Sequence, residues 1–163
     1  MKSFLLKTSL KSNTSKVRGF GLVEVVAGLV CLLPLLLAFF DLGMIVLSVQ
    51  INDSACREAA RAAACGNPND ARARAVQVIN LANQRSGAYV SNLRLDSVTS
   101  TVSAAEVAAL SPYGGPVQGS VTVRTFIDVH PYIIYWVYTG KPTLTFTSQQ
   151  TFPYSYVVPN TAQ

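Results

Sequence analysis

The sequence predicts an α+β protein: a long N-terminal transmembrane helix followed by a small extracytoplasmic head of helix plus antiparallel sheet. Three observations carry this prediction. A basic leader precedes an apolar run long enough to cross a bilayer, the run continues into an Ala/Arg-rich helix, and beyond residue 90 the apolar residues change from a helical period to a period of two. The 163 residues leave room for one modest domain beside a membrane segment. The expected division is residues 1–19 as a cytoplasmic leader, 20–66 as the membrane helix with its helical extension, and 67–163 as the head.

The net charge of +5 belongs to the leader. Lys2, Lys7, Lys11, Lys16 and Arg18 carry it with no acid among them, and from residue 20 onward eight basic residues balance eight acidic ones. The basicity therefore describes no binding face, and nucleic acid is not an expected partner. Residues 25–40, VVAGLVCLLPLLLAFF, contain no charge, and after Asp41 the apolar character resumes to Val49. About 20 helical residues at ~1.5 Å each span a hydrocarbon core, so Leu22–Val49 spans it with length to spare. Basic residues accumulate on the cytoplasmic side, which puts the leader inside and the head outside. A cleaved secretory signal would need an apolar stretch of about 7–15 residues closed by small residues. Here the run is about twice that length and passes Phe39, Phe40 and Asp41 without such a site.

Glu24 stands at the start of this run, six residues after Arg18. A carboxylate at the centre of a membrane helix costs about 2.5–3.5 kcal/mol and less near the interface, where Glu24 lies. A cut between Gly19 and Phe20 would make Glu24 the fifth residue of the product and expose an α-amino group with a reference pKa of about 7.7–8.0. The amine of a neighbouring subunit would then pair with Glu24 inside an apolar bundle and fix its register.

The stretch RGFGLVE, with Arg18, Gly19, Phe20 and Glu24, resembles the processing site of type IV prepilins and pseudopilins. Residues further along narrow the resemblance. Glu24 at the helix start, Pro34 within it, Asp41 and Gly43 as D-x-G at its far end, then NDSACREAARAAA with Arg57, Glu58 and Arg61, are similar in order to TadE-like minor pseudopilins of tight-adherence (Tad/Flp) pilus systems. The resemblance covers roughly residues 18–66. Phe20 as first mature residue is more like type IVa pilins and type II secretion pseudopilins, and Cys56 stands where the family more often has alanine. It implies a type IV pilin-like helix and processing by prepilin peptidase. The implied partners are other pilin or pseudopilin subunits, an inner-membrane pilus assembly platform and the lipid bilayer. The implied location is the bacterial cytoplasmic membrane. A type II secretion pseudopilin and an unprocessed single-pass assembly factor are the alternatives.

Pro34 lacks an amide hydrogen and predicts a kink or local opening near residues 30–34. Asp41 falls ~25 Å along a helix from Glu24, near the outer interface, where it is an interfacial residue or a specific contact. Beyond it, Asp53 with Arg57 and Glu58 with Arg61 have the spacing of helical ion pairs. The alanines from Ala55 to Ala64 favour helix and permit close packing against neighbours. Cys56 and Cys65 lie ~13.5 Å apart on such a helix, beyond disulfide reach, and Cys31 is an apolar residue of the span.

In CGNPND, Asn67 as cap, Pro68 at the first position and Asp70 in the first turn start a second helix. Ala71, Ala75, Val76, Ile79 and Ala82 form its apolar face, and Arg85 with Gly87 marks its stop. Alternation at Leu93 and Leu95, from Val121 to Val129, and from Leu144 onward predicts three strands. Ser103 and Glu106 predict a capping box for a short helix, and SPYGGPVQG is expected as a loop. The aromatic run at residues 132–138 suits a buried strand, the bilayer interface or a neighbouring subunit. His130 reads as a turn residue. No G-x-S-x-G, P-loop or H-E-x-x-H occurs and there is one histidine, so no catalytic residue, metal or cofactor is expected.

Overall fold

The computed structural model of the chain describes residues 18–85, 91–132 and 143–160. Helix α1 runs from Arg18 to Ala64, followed by a 3-10 turn at Pro68–Asp70 and helix α2 at Ala71–Arg85. Strand β1 (Ser91–Ser100), helix α3 (Ala104–Leu110) and strands β2 (Gly115–Val129) and β3 (Leu144–Val158) complete the order. The three strands form one antiparallel sheet in the order β1-β2-β3. The chain divides into two compact units, Met1–Leu37 and Ala38–Gln163.

The first unit contributes the apolar half of α1. From Gly21 to Leu37 every residue is exposed. Helix α1 is long and apolar enough to cross a membrane. It continues as helix through Pro34. The leader's residues 1–17 lie outside the described residues.

The second unit is the head, and residues 38–64 of α1 belong to it. The inward face of the sheet packs against α1 and α2, with Leu93, Val121, Val123 and Ile127 almost completely buried. Full burial of such side chains stabilises by about 1.5–3 kcal/mol each relative to exposure. Opposite them α1 contributes Ala55, Cys56, Ala59, Ala60 and Ala63, and α2 contributes Ala71, Ala75 and Ile79. The alanines expected to face neighbours are thus largely used at home: small side chains let the helix lie down on the sheet.

Strand β2 alternates buried and more exposed residues from Val121 to Val129, as a sheet with one dry face requires. It pairs with β3 in unbroken register from Gly115↔Val158 to Val129↔Leu144. The expected loop SPYGGPVQG is therefore shorter than the sequence suggested. From Gly115 onward it is strand, because β3 supplies a partner for residues whose local composition favours a turn. The β1–β2 register shifts twice, and the first shift surrounds Asn92, whose φ of 68° is one that asparagine tolerates.

Smaller elements follow their local chemistry. The Asn67 side chain accepts a hydrogen bond from the Asn69 amide at 3.0 Å, capping the turn that feeds α2. Helix α3 has the expected capping box: the Glu106 amide donates to Ser103 Oγ at 3.2 Å, and the Ser103 amide donates to the Glu106 carboxylate at 2.7 Å. Val107, Val117 and Val158 form a second small core beneath α3.

Candidate functional site

The chemistry-bearing residues of this chain sit on α1, and the two halves of that helix present them differently. In the first half, Gly19 and Phe20 lie in the opening turn of the helix, so the peptide expected to be cut is helical as folded. Glycine weakens a helix by about 1 kcal/mol relative to alanine, and Gly19 and Gly21 both stand here, which lowers the cost of opening the turn. Glu24 is exposed and has no hydrogen bond or ion pair among the described residues. Its carboxylate therefore contributes no polar contact to the fold of the described residues.

The second half carries a buried stripe at helical spacing, and much of it is polar. Asp41, Ser48 and Asn52 are each at most 3 % exposed, and Cys56 is completely buried. Each has a partner. The Tyr132 amide donates to Asp41 Oδ1 at 3.0 Å. The Ser48 hydroxyl donates to the Met44 carbonyl at 2.8 Å, within the helix. Asn52 accepts the Thr125 hydroxyl at 2.7 Å and donates from Nδ2 to the Phe146 carbonyl at 3.2 Å. Cys56 Sγ donates to the Val123 carbonyl at 3.4 Å. Among the described residues, no buried side-chain nitrogen or oxygen is left without a partner.

A comparison with protein-family models, curated proteins and solved structures finds no match for this chain. Its chemistry is therefore read from its own residues.

Along the rim of the stripe, Asp53 acts as a hub. Its Oδ1 accepts from Ser148 Oγ and Gln150 Nε2, each at 3.0 Å, and its Oδ2 pairs with Arg57 at 3.0 Å. The hydrogen bond from Ser148, then that from Gln150, holds the Asp53 carboxyl below its ordinary value, with the Arg57 charge adding and partial burial opposing. The expected Asp53–Arg57 pair is thus part of a larger contact with β3. The expected Glu58–Arg61 pair is absent: Arg61 instead lies over the Phe152 ring, 5.6 Å from its centroid. Glu58 lines a groove of about 310 Å³ between α1 and α2, together with Ile51, Ala55 and Leu81.

Gly43 is exposed, and a side chain added there would meet nothing within 4 Å. It serves no close approach among the described residues. His130, at the end of β2, is exposed and lies 3.4 Å from the Thr143 hydroxyl through Nδ1. Of the aromatic run, Tyr132 is described and 81 % exposed, while residues 133–142 lie outside the described residues. Cys31 and Cys65 are exposed free thiols, and Cys56 is sealed in the core.

One functional residue of the fold escaped the sequence pattern. Arg74, on α2, donates from Nε to the Ala62 carbonyl at 2.9 Å, and from Nη2 to the carbonyls of Ala63 at 3.1 Å and Asn67 at 2.8 Å. It ties the last turn of α1 to the turn that follows: the Ala62 carbonyl also accepts the Cys65 amide at 3.3 Å and the Asn67 carbonyl the Asp70 amide at 3.2 Å, while Gly66 turns the chain with a φ of +83°.

Proposed function

We propose that this chain is a processed, membrane-inserted minor pseudopilin of the TadE-like kind, taking part in the assembly or initiation of a Tad-like type IV pilus. The observation that carries the reading is the placement of Glu24. It follows an Arg-Gly-Phe site by four residues, stands on an exposed apolar helix, and has no partner among the described residues. A charged group at a membrane edge without an internal role is accounted for when another subunit supplies the cation.

The mechanism is structural. Prepilin peptidase cuts between Gly19 and Phe20, the new Phe20 amine of one subunit pairs with Glu24 of the next, and the apolar half of α1 enters a helical bundle. The head stays on the extracytoplasmic side, held to its helix by the buried stripe from Asp41 to Ala63. The orientation follows from the basic leader.

The test is the N-terminal sequence and intact mass of the protein from its native membrane, beside a Gly19→Ala variant. A chain beginning at Phe20, with the variant left uncut, supports the pseudopilin life cycle. Retention of residues 1–19 in cells with active prepilin peptidase overturns it in favour of an anchored, unprocessed assembly factor.

A further inference from the structure

Asp41 is an unexpected residue to find at the end of an apolar run, and its surroundings show why it is tolerated. Its side chain turns inward to the head, is 3 % exposed, and receives the Tyr132 amide. The neighbouring Pro131 is also buried. The end of β2 is thereby fastened to α1 at one level of the helix. Counting from Gly21, the ~20 residues that cross a hydrocarbon core end at Phe40, immediately before that level.

Among the described residues, several large side chains next to the clamp in sequence are apolar or aromatic and exposed. Phe39 is 63 % exposed, Phe40 70 %, and Tyr132 81 %. Leu42 and Val46, a turn apart on α1, are 50 % and 53 % exposed, so the helix remains apolar on its free side past the clamp. Nearby charge on the sheet is internally neutralised: Arg94 pairs with Asp128 at 2.6 Å. A tyrosine, whose ring is apolar and whose hydroxyl is polar, tied through its amide to the helix level just past two phenylalanines, has the composition of an interfacial belt.

We propose that Tyr132, just past the end of β2, rests on the outer lipid interface of the bilayer that α1 crosses. The partner is the boundary between headgroups and acyl chains, and the Asp41–Tyr132 hydrogen bond sets the height of the head above it. Phe39, Phe40 and Tyr132 are the contact residues. Asp41 is a positioning residue, whose carboxylate the head itself shields from lipid. The inference rests on the reading of α1 as a membrane span, and goes beyond it by fixing which end of the head meets the lipid.

The chain has one tryptophan, Trp136, so a clean optical probe is accessible. Trp136→Phe removes it, and Tyr132→Trp in that background installs a single reporter at the proposed contact. Tyr113→Trp in the same background is the control. Tyr113 is 83 % exposed and precedes β2, whereas Tyr132 follows it, so the length of a 15-residue strand, about 50 Å, separates them. The full-length variants are reconstituted in phosphatidylcholine and phosphatidylglycerol vesicles carrying bromine either near the headgroup or deep in the acyl chain. The expected result is strong quenching of the reporter at 132 by the shallow bromine, weaker quenching by the deep one, and none at 113. Equal, negligible quenching at both positions in protein that floats with the vesicles and resists alkaline carbonate overturns the proposal while leaving the membrane span intact. Protein that fails to float, or is stripped by carbonate, overturns the span itself and the contact with it.

Discussion

Asn52 and Thr125 meet 73 residues apart in the chain, with the Thr125 hydroxyl donating to Asn52 Oδ1 at 2.7 Å and both side chains almost wholly buried. This contact joins α1 to the central strand at a point where neither side chain can exchange its partner for water. Removing one partner leaves a buried acceptor unsatisfied, at a cost of about 1–3 kcal/mol. Thr125→Val is therefore expected to lower the thermal midpoint of the detergent-solubilised protein measurably. Asn52→Leu combined with Thr125→Val is expected to lower it by less than the sum of the two single changes. Additive single effects in that double-mutant cycle would show that the hydrogen bond does not couple the helix to the sheet.

Arg74 closes the end of α1, and the shape of its guanidinium matters as much as its charge. One side chain serves three carbonyls, and hydrogen bonds from a charged group contribute about 1.5–3 kcal/mol. Arg74→Ala is expected to destabilise by about 2 kcal/mol. Arg74→Lys recovers only part of this, since an ammonium lacks the planar fork. Chemical denaturation of the two variants beside the parent decides it, and a lysine variant as stable as the parent would reduce the role to charge alone.

Gly119 has no room for a side chain. A Cβ there would lie 2.8 Å from both Thr101 Oγ1 and Val102 Cγ2, and 3.1 Å from the Tyr154 hydroxyl. Thr101 cannot withdraw freely, because its hydroxyl accepts from the Ser120 amide at 2.8 Å. Gly119→Ala is expected to cost about 1–3 kcal/mol, the usual range for overpacking. An unchanged unfolding midpoint would mean that the segment after β1 moves aside without loss.

Asp53 gives the acid limb of stability. Its folded pKa lies below the ordinary 3.8, so the unfolded chain takes up the proton first. The stabilisation is present above the ordinary value and disappears as pH falls through the lower folded value. The side chain is 43 % exposed, so the effect is screened and below about 1 kcal/mol. Thermal midpoints followed downward from pH 7 should fall more steeply below about pH 4 in the parent than in Asp53→Asn. Parallel curves for the two proteins would remove Asp53 from the acid transition.

The elements whose signal is local were legible in the sequence. The capping box at Ser103 and Glu106, the Asn67-Pro68 entry to α2 and the alternation in β2 each depend on residues a few positions apart. The head's attachment to α1 was not legible, because Asn52 with Thr125 and Asp41 with Tyr132 are pairings across 73 and 91 residues. A partial signal existed: Asp41, Ser48, Asn52 and Cys56 recur at helical spacing, which marks one face of the helix. The same long-range pairing explains why Gly115–Gly119 resembles a loop in isolation yet forms strand. Arg57 illustrates the reverse case: its i, i+4 partner was evident, but the two β3 residues that share Asp53 were not.

Glu24 separates folding from assembly more cleanly than any other position. Its side chain is exposed and has no partner among the described residues, so Glu24→Gln removes a charge without removing a contact of the folded chain. The thermal midpoint of the head is expected to stay unchanged, and cleavage after Gly19 is expected to proceed. What should be lost is association with other subunits, because glutamine cannot form an ion pair with the Phe20 amine of a neighbour. Crosslinking in native membranes, read beside intact mass, measures both. A variant that is cut and folded but no longer crosslinks places the role of Glu24 between chains. One that crosslinks like the parent would assign assembly to the apolar surface of α1 alone.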